Sequence, residues 1–257
     1  MNKFSDGDEV HVPASLVGLG KDNPSAMVKC SFVRNEGKKG VVKNIPGIPD
    51  EKELDIRLIK KKLGILIIQI GDYSTENSLL EPLQTSITQY TTLLLMPEYI
   101  YSEKLRTLQE LSIIWKKLCM IISHVIFIGH GKKEGFIFGQ ETVNTDALIE
   151  TMAVDNKMGE KIQIISLCCY SGKKSIARKI SNSLFCDNFI GPTETVHAAN
   201  ASHFYQSYMI YNMLHGYLPE RAYQYARVLT PGVTKFYMWS NEKEIERPNK
   251  SALLLSS

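Results

Sequence analysis

Three apolar runs constrain this chain more than anything else in it: Gly64-Ile-Leu-Ile-Ile-Gln-Ile70, His124-Val-Ile-Phe-Ile128 and Lys161-Ile-Gln-Ile-Ile-Ser-Leu167. None shows the strict apolar/polar alternation of a strand with one wet face. Short, near-continuous apolar runs of this kind read as strands covered on both faces, the situation of a parallel sheet. Helical patterns separate them, at 79–90, 102–118, 145–152, 173–184, 197–216 and 219–229. The 102–118 stretch repeats Leu105, Leu108, Leu111, Ile114, Trp115 and Leu118 at spacings of three and four. Thr145 fits an N-cap, Gly216 a helix stop and Pro219 a helix start. Further apolar runs at 92–96, 188–190 and 234–239 bring the expected strands to six, with a short hairpin at 135–139. The expected class is α/β, a three-layer sandwich around a mostly parallel six-stranded sheet.

Residues 1–60 read differently. Short β-like runs at 9–12, 27–33, 40–43 and 54–59 alternate with turn clusters at 18–24, 35–37 and 46–49. No helical period is present. A small SH3-like β module is expected there, followed by the α/β domain over 63–257. About 60 residues lies near the lower limit for an independent core, so packing against the larger domain is expected.

The whole chain has 257 residues, 44% of them hydrophobic, and a formal net charge of +3. The excess is local: residues 1–62 hold 12 Lys/Arg against 9 Asp/Glu, and the remainder 18 against 18. An excess this small argues against a committed nucleic-acid binder, which needs several phosphate contacts at once. No run approaches the ~18 apolar residues of a membrane span. The opening MNKFSDGDEV carries charges where a signal peptide needs its apolar region, so export by that route is not expected. The five cysteines are Cys30, Cys119, Cys168, Cys169 and Cys186. An odd count with one adjacent pair and no C-x-x-C is neither a disulfide framework nor a zinc site. A cytoplasmic setting is expected, with no metal and no cofactor.

In parallel sheets, chemistry collects at the carboxyl ends of strands. The 124–128 run ends in Gly129-His130-Gly131, and the 161–167 run in Cys168-Cys169-Tyr170-Ser171-Gly172. On neighbouring strands ~4.8 Å apart, His130 and Cys169 would face one another. A thiol needs a base or a positive partner to become a nucleophilic thiolate, and a helix beginning just beyond Cys169 would also favour the anion. The glycines beside His130 permit close approach of a substrate, and the Gly131 N–H could point at an oxyanion.

These residues carry a resemblance. Ile126-Phe-Ile-Gly-His130-Gly131, followed by Ile165-Ser-Leu-Cys-Cys169-Tyr-Ser171-Gly172, looks like the caspase-like peptidase clan, in particular its CHAT branch. Ile190-Gly-Pro192 and the helical pattern from Ala201 to Arg227 resemble the C-terminal helices of that branch. The likeness runs from about Gly64 to Ser240. It implies a cysteine endopeptidase with Cys169 as nucleophile and His130 as general acid/base. The N–H groups of Gly131 and Cys169 would form the oxyanion hole. Metacaspase-like relatives carry an Asp two residues before the nucleophile to receive a basic P1 side chain. This chain has Leu167 there. Asp72, with Glu194 as a second candidate, is the substrate-binding carboxylate expected for cleavage after Lys or Arg. Lys132-Lys133 and Lys173-Lys174 would then be self-cleavage points.

Such a peptidase calls for a gate, so an activating partner or small-molecule signal is expected beside the protein substrate. The resemblance makes bacterial defence or cell death the natural context. Two other functions compete: an inert caspase-like receptor or scaffold, and a nucleic-acid or protein adaptor acting through the N-terminal module. Ser171-Gly-Lys-Lys-Ser175 lacks the first glycine of a phosphate loop. His124 reads as structural, His203 and His215 lack the i, i+4 spacing of a metal pair, and the aromatic series from Phe204 to Tyr225 reads as helix packing.

Overall fold

A computed structural model describes residues 4–19, 23–153, 161–230 and 235–245. The chain opens with β1 (Glu9–Pro13), β2 (Met27–Glu36), β3 (Lys39–Lys43) and β4 (Lys52–Asp55), paired consecutively as an antiparallel meander. Next come β5 (Gly64–Gln69), α1 (Glu81–Thr92), β6 (Ile100–Lys104), α2 (Leu108–Leu118) and β7 (Ile122–Ile128). A small antiparallel sheet of β8 (Gly131–Lys132), β9 (Gly135–Phe138) and β10 (Glu141–Asn144) leads into α3 (Thr145–Ala153). There follow β11 (Ile162–Ser166), α4 (Lys174–Ser181), β12 (Cys186–Pro192), α5 (Ala198–Met209) and α6 (Pro219–Leu229). Strands β13 (Phe236–Ser240) and β14 (Lys243–Glu244) come last.

Among the described residues, the main sheet has seven strands in the order β14-β13-β12-β11-β7-β5-β6. Strands β6, β5, β7, β11 and β12 are parallel, and β13 and β14 run antiparallel at one edge. The mostly parallel sheet is as expected, but the six-strand count is corrected to seven. The 92–96 run is not a strand: Thr92 ends α1, and Leu94 and Leu95 are buried in the turn after it. The edge strand is β6, which the helical spacing from residue 102 had concealed. Leu105 is buried, yet its N–H donates to the Gln69 carbonyl at 2.9 Å and so continues the sheet. Helix α2 starts only at Leu108, after a capping box in which Thr107 and Glu110 satisfy each other's backbone N–H.

Both sheet faces are dry, as the apolar runs require. Ile65, Ile67, Ile126, Ile128, Ile165 and Leu167 pack against α1, α5 and α6. Leu66, Ile68, Val125, Phe127 and Ile164 pack against α2, α3 and α4. Each fully buried side chain of this size contributes about 1.5–3 kcal/mol. Phe204, Tyr205, Tyr208 and Tyr223 belong to this core, so that part of the aromatic series is packing.

The N-terminal meander has its own cluster, including Val10, Val12, Val28, Cys30 and Phe32. Its β character is as expected, although a four-stranded meander does not by itself make an SH3-like barrel. It docks on the larger unit: Ala26 and Met27 join the main core, and Ala26 N–H donates to Leu94 O at 2.7 Å. The turn expected over 18–24 lies partly outside the described residues, as does the first residue of the strand expected at 234–239. Among the described residues, no helix is long and apolar enough to cross a membrane.

His124, on β7, is structural, as expected. Its Nδ1 lies 2.8 Å from Ser123 Oγ, and burial pushes the imidazole down from 6.5 to about 3. The unfolded chain takes up a proton as the pH falls through the ordinary histidine range, and the folded protein does not. Stability is therefore full above about pH 6.5 and declines from there toward pH 3. Urea unfolding at pH 7 and pH 5 should show this loss, and His124→Gln should reduce the difference between the two.

Candidate active site

Strands β7 and β11 are adjacent and parallel, with Phe127 paired to Ser166. His130 and Cys169 each lie three residues beyond that pair, so the two loops leave the sheet at the same level. The Leu167 N–H donates to Phe127 O at 2.8 Å and carries the pairing one step past β11. Both His130 and Cys169 are half-buried.

Glycines let these loops close on one another. A Cβ on Gly131 would stand 2.1 Å from the Cys169 carbonyl oxygen, and one on Gly129 would stand 2.3 Å from the Ile70 carbonyl oxygen. No real side chain tolerates either distance. The backbone around His130 is thus wedged between the loop after β5 and the Cys169 turn after β11. The His130 carbonyl accepts from the Ile137 N–H at 3.1 Å, which ties the wedge to the β9 strand behind it.

The turn around Cys169 is tight. Tyr170, directly after Cys169, has φ +63°, a left-handed conformation that costs a bulky residue free energy and occurs where surrounding contacts enforce it. Those contacts are visible. Ser171 Oγ donates to Cys168 O at 2.8 Å, Gly172 N–H to Pro192 O at 2.8 Å, and Tyr170 N–H to Glu194 O at 3.3 Å. A Cβ on Gly172 would meet the Gly191 carbonyl oxygen at 2.0 Å. Helix α4 begins at Lys174 and ends at Ser181, shorter than the expected 173–184.

The adjacent cysteines are in different environments. Cys168 is fully buried, and burial pushes its thiol up to about 12, which makes it inert at neutral pH. Cys169 is the accessible one of the pair. All five cysteines are free thiols.

On the other side of His130, its Nε2 lies 2.5 Å from the Thr75 hydroxyl. That hydroxyl donates in turn to Asp72 Oδ1 at 3.1 Å. Ser74 Oγ, at 2.8 Å, and the Thr75 N–H, at 3.1 Å, donate to the same carboxylate oxygen. The Ser74 hydroxyl foremost, with Thr75 and nearby His130 assisting, holds the Asp72 carboxyl below the usual range against the opposing effect of desolvation. Of the residues expected from sequence, Asp72 and His130 are joined through Thr75, and the Gly131 Cα lies against the Cys169 backbone carbonyl. Glu194 does not join them through its side chain, which is exposed and ion-paired to Lys235 at 3.0 Å. Thr75 was not anticipated. The signal available for it was the run Asp72-Tyr-Ser-Thr75 directly after a strand, a pattern in which an Asp side chain caps the next turn. Among the described residues, no group of three or more His, Cys, Asp or Glu side chains could hold a metal ion.

No family model and no curated protein matches the sequence. Among solved structures, the chain is similar to a secreted C11 cysteine protease from Bacteroides thetaiotaomicron in complex with an irreversible peptide inhibitor. The TM-score is 0.50 at 9% identity, covering 70% of this chain and 66% of that one. A second structure of a secreted C11 cysteine protease from the same organism, called iotapain, gives 0.39 at 11% identity, covering 69% and 65%. The chain thus spans slightly under two thirds of the length of the proteins it matches. C11 cysteine proteases belong to the caspase-like clan, and the first likeness establishes a shared caspase-like fold.

The Gly131 contact yields a prediction. Gly131→Ala should push the His130 loop off the Cys169 turn, lower the melting temperature and change the rate at which iodoacetamide labels Cys169. In wild type at pH 8, peptide mapping should find label on Cys169 and none on Cys168.

Proposed function

We propose that this chain is a cysteine endopeptidase of the caspase-like type, with Cys169 as nucleophile and His130 as general acid/base. The observation that carries this reading is the level exit of the β7 and β11 loops. It sets the His130 and Cys169 backbones at one carboxyl edge of a parallel sheet, with the Gly131 Cα against the Cys169 carbonyl and Cys169 the accessible thiol of its pair. The caspase-like fold supports it.

In this mechanism the Cys169 thiol gives its proton to His130, and the sulfur attacks the scissile carbonyl carbon. The C=O π electrons move to oxygen, where the N–H groups of Gly131 and Cys169 receive the negative charge. Collapse breaks the C–N bond, and His130 delivers the proton to the leaving amine. The thioester that remains is cleaved by water, which His130 deprotonates. No step needs a metal.

The P1 class we read is Lys or Arg, with Asp72 as its carboxylate. Asp72 Oδ1 takes all three internal hydrogen bonds, which leaves Oδ2 for a cation. Glu194 is the weaker candidate because Lys235 engages it. Self-cleavage at Lys132-Lys133 or Lys173-Lys174 follows from the same preference. The resemblance of the sequence to the CHAT branch supports a cytoplasmic enzyme in bacterial defence or cell death, switched on by a partner or small-molecule signal.

Hydrolysis of mixed fluorogenic peptides, with and without cell lysate as a source of activator, tests the reading. Cys169→Ala and His130→Ala should lose activity by orders of magnitude, while Cys168→Ala keeps it. Equal hydrolysis by wild type and Cys169→Ala would end the peptidase reading. In a peptide library, preference for acidic or small P1 residues, or an unchanged preference in Asp72→Ala, would end the assignment of Asp72 to basic P1.

A further inference from the structure

We infer that Thr75 is a positioning residue for His130, holding the imidazole in one tautomer through a hydroxyl that Asp72 anchors. This rests on the peptidase reading and deepens it. A carboxylate only accepts hydrogen bonds, so in the 3.1 Å contact with Asp72 Oδ1 the Thr75 hydroxyl is the donor. Its oxygen then offers lone pairs to His130, and the proton of the 2.5 Å contact is assigned to Nε2. A neutral imidazole with Nε2–H carries its lone pair on Nδ1. Nδ1 is thereby the nitrogen that accepts the thiol proton and later returns it to the leaving amine. The Nε2 proton stays in place throughout, and Thr75 transfers none.

Thr75 is free for this task. It precedes the π-helical turn Glu76–Leu80, where a threonine hydroxyl could cap the backbone, yet it makes no side-chain cap bond there. Other contacts fix the loop. Glu76 pairs with Arg106 and, at 3.4 Å, with Lys104. The Arg106 guanidinium lies 4.8 Å from the Tyr73 ring centroid. Gly71 has φ +127°, a conformation L side chains rarely adopt, so the glycine is needed where the loop folds back beside the His130 ring. Removing the Thr75 hydroxyl therefore leaves the loop its other anchors. Asp72, from the loop after β5, reaches the imidazole through Thr75; the Cys169 backbone, from the turn after β11, lies against the Gly131 that follows His130, and Lys132 is two residues beyond His130 along the chain.

The test compares wild type, Thr75→Val, Thr75→Ser and Cys169→Ala in the full chain, each first shown to be folded by thermal unfolding. Three readouts are taken: the iodoacetamide labelling rate of Cys169 from pH 5 to pH 9, the kcat and KM of peptide hydrolysis, and the His130 tautomer by long-range 1H–15N NMR. In wild type the NMR should show the proton on Nε2. Thr75→Val should mix the tautomers, move the labelling profile toward alkaline pH and lower kcat by about 10²-fold with KM little changed. Thr75→Ser should restore both kcat and profile. An Nδ1–H tautomer in wild type, or a Thr75→Val protein with the wild-type profile and kcat, would overturn the assignment. Loss of hydrolysis in Cys169→Ala with an unaffected Thr75→Val would sink only the role of Thr75. Hydrolysis persisting in Cys169→Ala would sink the peptidase reading itself.

Discussion

The parallel pairing of β7 with β11 is the constraint on which the rest of the site depends. Parallel neighbours in one sheet finish at the same edge, and the Phe127–Ser166 register brings His130 and Cys169 out level. A shift of one residue would turn every inward side chain of β11 to the other face and separate the two groups. Apolar side chains on both faces hold β11 in the sheet, since Ile164 and Ile165 are each covered by a different cluster. Specific backbone contacts mark the level at which it pairs: the Leu167 N–H donates to Phe127 O at 2.8 Å, and the Gly131 Cα lies against the Cys169 carbonyl.

Close backbone approach refines that alignment. The His130 loop is held by two glycine contacts, against Ile70 on one side and Cys169 on the other. The Cys169 turn is held by Ser171, Gly172 and the Gly191-Pro192 segment, which stabilise a left-handed Tyr170. Strain at such a position persists only where neighbours over-determine it. Its consequence is a sharp turn with Cys168 sealed in the core and the next residue, Cys169, accessible.

The legible part of the chain was what short-range pattern encodes. Gly64–Gln69, Ile122–Ile128 and Ile162–Ser166 were readable because strands covered on both faces have no polar alternation. His130 and Cys169 were readable because they follow those strands directly. Strand β6 was hidden because Leu105, Leu108 and Leu111 continue a helical spacing backward across a real boundary at the Thr107 cap. The bound came from a capping box that competes with, and here overrides, apolar periodicity. Thr75 was hidden for a different reason. Its role depends on a loop meeting a histidine 55 residues away in sequence, and no local pattern encodes such a meeting. The SH3-like reading of the first 60 residues went further than their pattern allowed: alternation and turns specify antiparallel strands, but not barrel closure.

The most direct measurement is the site of covalent capture by an electrophilic peptide mimic. An acyloxymethyl-ketone probe carrying a P1 lysine would be incubated with wild type, Cys168→Ala and His130→Ala, and the adduct mapped by tandem mass spectrometry. The account predicts an adduct on Cys169 in wild type and Cys168→Ala, formed far more slowly in His130→Ala. An adduct on Cys168, or labelling of Cys169 at the same rate with and without His130, would contradict it.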